Sequence, residues 1–144
     1  MSVVSAGESS RSSRSFWLGV AAYLAPTFPL GFFWHLAWFE GTYRALAIYR
    51  ADPIIPLGLA SMAVQAMIFS WAYPRLFPAD RGSALKAGLL YGLVMGLLSW
   101  SFTTLAVAAK HPVASIVDYM VLETGFTFVQ FLIVGPLMAL AHRN

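Results

Sequence analysis

The sequence predicts an all-α fold, a four-transmembrane-helix bundle of a polytopic membrane protein, and three observations support it. Hydrophobic residues make up 59% of the 144-residue chain and charged residues only 10%, against about 25% charged residues in a soluble domain. Four apolar stretches are each long enough to cross the roughly 30 Å hydrocarbon core of a bilayer as helices. Short connectors with prolines or charges separate these stretches, at about 40–52, 75–83 and 110–111.

The first predicted span follows a polar N-terminal segment. Residues 1–15 are Ser-rich and predict a mobile cytoplasmic tail, and residues 16–144 predict a single transmembrane domain. The apolar run over about 16–39 is longer than the hydrophobic region of a signal peptide, so it predicts a retained helix. Pro26 and Pro29 favour a kinked span over a re-entrant segment, because neighbouring helices can satisfy the freed carbonyls.

The remaining spans have recognisable boundaries. They are predicted over about 53–74, 84–109 and 112–141. Asp52 and Pro53 suit the N-cap and the first helical position of the second span. Ser83 suits the N-cap of the third, and the Lys110-His111-Pro112 break separates the third from the fourth. The connector over 40–52 favours either a short helix in the membrane interface or an irregular loop with aromatic anchors.

Basic residues flank the spans unevenly, and this predicts the orientation. With four spans, both termini and the middle connector share one side. That side carries Arg11, Arg14, Arg75, Arg81, Lys86 and Arg143. The opposite side carries Arg44, Arg50 and Lys110. Because basic residues are enriched in cytoplasmic loops, the N- and C-termini are predicted to be cytoplasmic.

Glu123 lies about ten residues into the last span, near the predicted middle of the bilayer. An ionisable group at that depth is costly and indicates a functional site. One interpretation is that Glu123 handles a proton or cation, or holds the basic group of a ligand. The other is a neutral acid that hydrogen-bonds to Gln65, Ser99 or Thr103 and fixes the helix register, because desolvation disfavours the ionised form.

Polar residues form stripes on the second and fourth predicted helices. Thr127 and Gln130 follow Glu123 at helical spacing, whereas Asp118 lies about 140° away around the helix and fits an interfacial position near the helix start. A small polar interior is therefore expected among the second, third and fourth helices. The candidate ligand- or ion-binding residues are Glu123, Thr127, Gln130, Gln65, Ser99, Thr103 and Asp118.

Three glycines form a ridge on the third span. Gly88, Gly92 and Gly96 recur at four-residue spacing and therefore share one helix face. Small residues allow close helix packing in lipid. The ridge predicts packing against another helix of the same chain, with homodimerisation or a ligand groove as the alternatives.

The chain offers few groups for metal binding or catalysis. It has no cysteine, which excludes thiol catalysis and thiolate-ligated metals. His35 and His111 are weak candidates for a shared metal or haem, and His35 better fits an interfacial histidine. Glu-x-x-His pairs and a nucleophile elbow are both missing from the sequence. We therefore expect no catalytic residue, no cofactor and no nucleic-acid partner.

The second half of the chain resembles a known protein class. The residues that carry the resemblance are the Gly-rich stretch Ser83–Gly96, the Lys110-His111-Pro112 break and Val117-Asp118-Tyr119. They resemble small bacterial four-helix integral membrane proteins known only as a domain of unknown function. The resemblance implies the same architecture and a bacterial inner membrane, and it implies no activity.

These observations favour a non-enzymatic membrane protein. It would bind an apolar or amphipathic ligand, or a partner's transmembrane helix, in a groove between the third and fourth spans. The alternative is a proton-coupled transporter or channel for a small solute that uses Glu123; it would be a dimer, because four helices enclose little volume. A weaker alternative is a haem- or quinone-linked redox subunit that uses His35 and His111. The expected partners are the lipid bilayer and a second copy or another membrane subunit.

Overall fold

The computed structural model describes the backbone of residues 3–77 and 83–143, and the side chains from residue 11 onward within those ranges. This part of the chain is helical throughout its regular structure, as the sequence predicts. The α-helices are α1 Val3–Phe33, α2 Glu40–Ala45, α3 Ile55–Leu76, α4 Ala84–Trp100, α5 Ala106–Lys110 and α6 Ile116–Ala141. Two π-helical turns interrupt them, Trp34–Trp38 at the end of α1 and Ser101–Leu105 between α4 and α5.

Four segments are long and apolar enough to cross a membrane. They are Arg11–Trp38, Ile55–Leu76, Ala84–Lys110 and Ile116–Ala141. The four predicted spans therefore correspond to four long helices. Helix α1 begins at Val3, so the backbone is already helical within the segment predicted as a tail, whose mobility stays a prediction.

Two predicted helix starts differ in detail from the structure. Helix α3 begins at Ile55, so Asp52 and Pro53 lie outside it, and Pro56 takes the early helical position where a missing N–H costs nothing. Ser83 does occupy the N-cap position of α4, but its side chain makes no capping hydrogen bond.

The helices pack around a central pair. Helices α1 and α6 lie against each other, α3 packs on α1, and α4 packs on α6. One apolar core lies between α1 and the ends of α3, α4 and α6 that are near residues 70, 90 and 138. It includes Val20, Tyr23, Phe69, Tyr73, Tyr91, Val134 and Met138. A second, smaller core at the opposite end contains Tyr43, Leu46 and Tyr119.

The glycine ridge packs α4 against α6 at backbone distance. A Cβ added at Gly88 would lie 2.7 Å from the Cα of Pro136, and one added at Gly92 would overlap the carbonyl oxygen of Phe131. Gly135 supplies the matching gap on α6, because a Cβ there would overlap the carbonyl oxygen of Gly88. The ridge thus meets a helix of the same chain.

Candidate functional site

The carboxylate of Glu123 lies where α6, the end of α1 and the connector after α2 meet. Glu123 is 5% exposed. Its Oε1 accepts a hydrogen bond from the hydroxyl of Tyr43 at 2.8 Å and from that of Tyr49 at 3.2 Å. The Nε2 atom of His35 lies 3.3 Å from the same oxygen. Three side chains from one stretch, residues 35–49, therefore converge on a carboxylate oxygen that is at least 74 positions away in the chain.

The partners of Glu123 are not Gln65, Ser99 or Thr103, which are the residues expected to bind it if it fixes the helix register as a neutral acid. Gln65 accepts from Tyr23 instead, and the hydroxyl of Thr103 donates to the carbonyl of Ser99 in its own helix. The π-helical turn Ser101–Leu105 explains the difference on α4. It inserts an extra residue into the turn, so Thr104 is buried and Thr103 points outward.

The polar interior expected among the second, third and fourth long helices lies instead among the first, second and fourth. Gln130 donates to the hydroxyls of Tyr23 and Thr27 on α1, at 3.2 and 3.3 Å. Tyr23 donates to Gln65 on α3 at 2.5 Å, and Gln65 donates to Ser61. The polar groups therefore meet between α1, α3 and α6, because α4 uses its glycine face to contact α6.

The contacts of both ring nitrogens indicate how His35 meets Glu123. The Nδ1 atom of His35 lies 2.9 Å from the carbonyl oxygen of Gly31. A carbonyl oxygen only accepts, so Nδ1 carries a hydrogen. A hydrogen bond between Nε2 and Oε1 then requires one further proton, in an imidazolium–carboxylate pair or in a neutral imidazole–carboxylic acid pair. The net charge is zero in both states, which limits the cost of burial.

Tyr43 and Tyr49 hold the connector against the His35–Glu123 pair. Their rings stack with centroids 4.9 Å apart, and the imidazole of His35 lies 4.9 Å from the ring of Tyr43. Burial and the nearby charge of Glu123 raise the pKa of both phenols above its ordinary value, so both remain hydrogen-bond donors. The sequence predicts both tyrosines as interfacial anchors, and no local pattern indicates that they reach Glu123.

The connector that carries these tyrosines is held in place. Its first part forms the short helix α2, and Leu46 is 2% exposed in the smaller core. The carbonyl oxygen of Leu46 accepts from the backbone N–H of Ala114 at 3.2 Å. Ala47 then adopts a left-handed conformation with φ 56° and turns the chain. Tyr49 and Arg50 follow this turn at a defined position beside α1.

An open groove of about 480 Å³ lies beside His35 and Tyr49, between α1 and the start of α3. Its apolar wall includes Phe28, Phe32, Leu36, Ile54 and Leu57. Its polar wall includes His35, Tyr49 and Arg50. Glu123 is not part of the wall; it lies behind His35 and Tyr49 and holds both side chains.

A second groove of about 380 Å³ runs between α4 and α6, which are the third and fourth long helices. Thr124 and Thr127 contribute its hydroxyl groups. The indole N–H of Trp100 already donates to Thr124 at 2.9 Å. The described wall contains no titratable side chain, so this groove offers apolar contact and little chemistry.

An apolar layer separates the Glu123 site from the other end of the bundle. Val134 and Met138 are fully buried on α6, and Val20 is 9% exposed on α1. Beyond them, Ser70 donates to the carbonyl of Phe16 and lies 3.4 Å from Nε2 of His142. Burial lowers the pKa of that imidazole. No chain of polar side chains joins the two ends through the described residues.

The other predicted candidates lie apart from this site. Asp118 is exposed in the first turn of α6, and its backbone N–H donates to the Ser115 side chain at 3.3 Å. His111 is exposed just after α5, whereas His35 is engaged by Glu123. Within the described ranges, no group of three or more His, Asp or Glu residues could hold a metal ion. No protein-family model, curated protein or solved structure matches the chain.

Proposed function

We propose that this chain is an integral membrane protein that binds an amphipathic ligand in the groove between α1 and α3. The observation that carries the proposal is the position of His35 and Tyr49. Both are held by the buried carboxylate of Glu123, and both face an apolar groove of about 480 Å³. Ligand sites typically combine an apolar wall with a few convergent polar groups.

The ligand would lie along this groove, with its apolar chain at one end and its headgroup at the other. The ligand's apolar chain contacts Phe28, Phe32 and Ile54, and its headgroup lies beside His35 and Tyr49. Glu123 acts as a positioning residue, since it fixes these two side chains and does not reach the ligand. No bond is made or broken in this proposal, which assigns binding and no catalytic step.

Proton-coupled transport by a dimer is the second candidate, and the contact between His35 and Glu123 favours it, because a hydrogen bond there requires an exchangeable proton. The apolar layer of Val20, Val134 and Met138 weighs against a path within one copy. Gln130 and His142 are twelve positions apart in sequence, or about 18 Å along a helix. Proton flux into vesicles that is lost in Glu123→Gln would support transport; unchanged flux would remove it.

The orientation gives the first testable prediction. The basic residues predict that both termini are cytoplasmic, so the Glu123 site would lie nearer the periplasmic side of a bacterial inner membrane. A green fluorescent protein fused at the C-terminus should fluoresce, and alkaline phosphatase fused after Lys110 should be active. The opposite pattern of the two reporters would invert the topology.

The second prediction separates the two grooves. Gly58 lines the α1–α3 groove, and a Cβ there meets nothing within 4 Å. Gly58→Trp should therefore fill the groove without disturbing the backbone and reduce retention of co-extracted amphiphiles about tenfold or more. Native mass spectrometry of protein extracted in mild detergent measures this retention.

The matched control is Leu93→Trp, which fills the α4–α6 groove. It should leave the bound mass unchanged. If Leu93→Trp removes the bound amphiphile and Gly58→Trp does not, the ligand occupies the α4–α6 groove and the proposal is wrong. If neither variant carries less amphiphile than the parent protein, neither groove is the binding site.

A further inference from the structure

We infer that the ligand of the α1–α3 groove carries an anionic headgroup, a carboxylate or a phosphate, which Arg50 binds. This inference rests on the function proposed above and specifies the chemistry of its ligand. A fatty acid and an acidic phospholipid share this chemistry.

The charge of the groove wall is the first support. Among the described residues that form this wall, Arg50 is the one with a permanent charge, and none is a carboxylate. A hydrogen-bonded His35–Glu123 pair, in either of its two forms, adds no net charge. The headgroup end of the groove therefore has an excess positive charge.

The lack of a protein counter-ion for Arg50 is the second support. Within the described ranges, the ion pairs are His35–Glu123 and Arg44–Glu40. Asp52 is two residues from Arg50, but it makes no ion pair with Arg50 and does not line the groove. Arg50 thus has a guanidinium available for a ligand beside an apolar wall.

The hydrogen-bonding character of the wall is the third support. The guanidinium of Arg50 presents only donors, whereas the single hydroxyl hydrogen of Tyr49 is already donated to Glu123. A carboxylate or phosphate accepts hydrogen bonds through several oxygens, and a guanidinium can bind it with two parallel bonds. A purely hydrogen-donating headgroup would find no acceptor in this guanidinium, and a cationic headgroup would also be repelled by it.

The test compares Arg50→Gln with Arg44→Gln in purified full-length protein. Both changes remove one positive charge from the same connector, but Arg44 pairs with Glu40 at 2.7 Å and does not line the groove. The probes are palmitate above its pKa, its methyl ester and hexadecyltrimethylammonium, titrated by native mass spectrometry. Phosphatidylglycerol and phosphatidylcholine serve as competitors.

Palmitate is expected to bind more tightly than its ester and the ammonium compound. Arg50→Gln should weaken palmitate binding about tenfold or more, since a hydrogen bond to a charged group contributes about 1.5–3 kcal/mol. The same variant should leave the ester unchanged, and Arg44→Gln should leave both unchanged. If phosphatidylglycerol competes with palmitate and phosphatidylcholine does not, and if this competition is lost in Arg50→Gln, the result supports the inference with a phospholipid as the source of the anion.

Two outcomes overturn the inference and leave the proposed function standing. One is equal binding of palmitate, ester and ammonium compound to the parent protein, with Gly58→Trp blocking all three. The other is an equal loss of palmitate binding in Arg50→Gln and Arg44→Gln, which would show that the effect comes from the general surface charge. By contrast, failure of all probes to bind, together with no effect of Gly58→Trp on co-extracted amphiphiles, would reject the proposed function itself.

Discussion

Gly92→Ala is expected to lower the free energy of unfolding by about 1–3 kcal/mol, the usual cost of overpacking. A methyl group at this position would overlap the carbonyl oxygen of Phe131. The overlap is with backbone, so no side-chain rotation relieves it, and α4 and α6 would have to separate. Thermal unfolding of the detergent-solubilised protein measures the change.

Gly58→Ala is the matched control for this prediction. Gly58 also lies inside a long helix, and a Cβ there meets nothing within 4 Å. Alanine at an open helical site should be neutral or stabilising, because glycine is the weaker helix former by about 1 kcal/mol. Equal melting temperatures for Gly92→Ala and Gly58→Ala would contradict the close α4–α6 contact.

The features that the sequence predicts correctly are those carried by local pattern. The lengths and apolar character of the four helices follow from composition, and the break at residues 110–112 follows from its proline. The spacing of Gly88, Gly92 and Gly96 indicates a packing face. Their partner, Gly135, has no glycine at similar spacing nearby, so the matching gap on α6 is visible only in the structure.

The features that have no local sequence pattern depend on tertiary contacts and on helix register. Glu123 itself is marked by its polarity in an apolar run. Its partners His35 and Tyr49 are 88 and 74 positions away in sequence, and neither lies in a motif that includes Glu123. A π-helical turn has no reliable sequence signal, yet the one after Trp100 decides that Thr104 is buried and Thr103 is not.

The Glu123 site itself would change most on removal of its carboxylate. Glu123→Ala leaves the hydroxyls of Tyr43 and Tyr49 and the Nε2 atom of His35 without their acceptor. An unsatisfied buried group costs about 1–3 kcal/mol, and breaking a buried charge pair costs about 3–5 kcal/mol. We expect a loss of about 3–5 kcal/mol in the free energy of unfolding. The separate costs do not add in full, because Tyr49 is 44% exposed and can reorient.

Glu123→Gln distinguishes the carboxylate's hydrogen bonds from its role in holding a proton. The amide oxygen can still accept from both tyrosines, so this variant should be more stable than Glu123→Ala. Glutamine has no titratable proton to share with His35, however, and Nδ1 of that residue already donates to the carbonyl of Gly31. Nε2 must then accept from the glutamine N–H, which competes with the tyrosine hydrogen bonds for the orientation of the amide, or the imidazole must carry an uncompensated charge.

A double-mutant cycle measures the coupling between His35 and Glu123 directly. Contacting residues that act together show interaction energies of about 0.5–3 kcal/mol. If His35 and Glu123 share a proton, the effect of Glu123→Gln on unfolding should shrink by that amount in a His35→Phe background. Additive effects of the two changes would mean that the imidazole and the carboxylate are neighbours without a shared proton. Tyr43→Phe combined with Glu123→Gln is the reference cycle, since the amide oxygen keeps accepting from that phenol and weaker coupling is expected there.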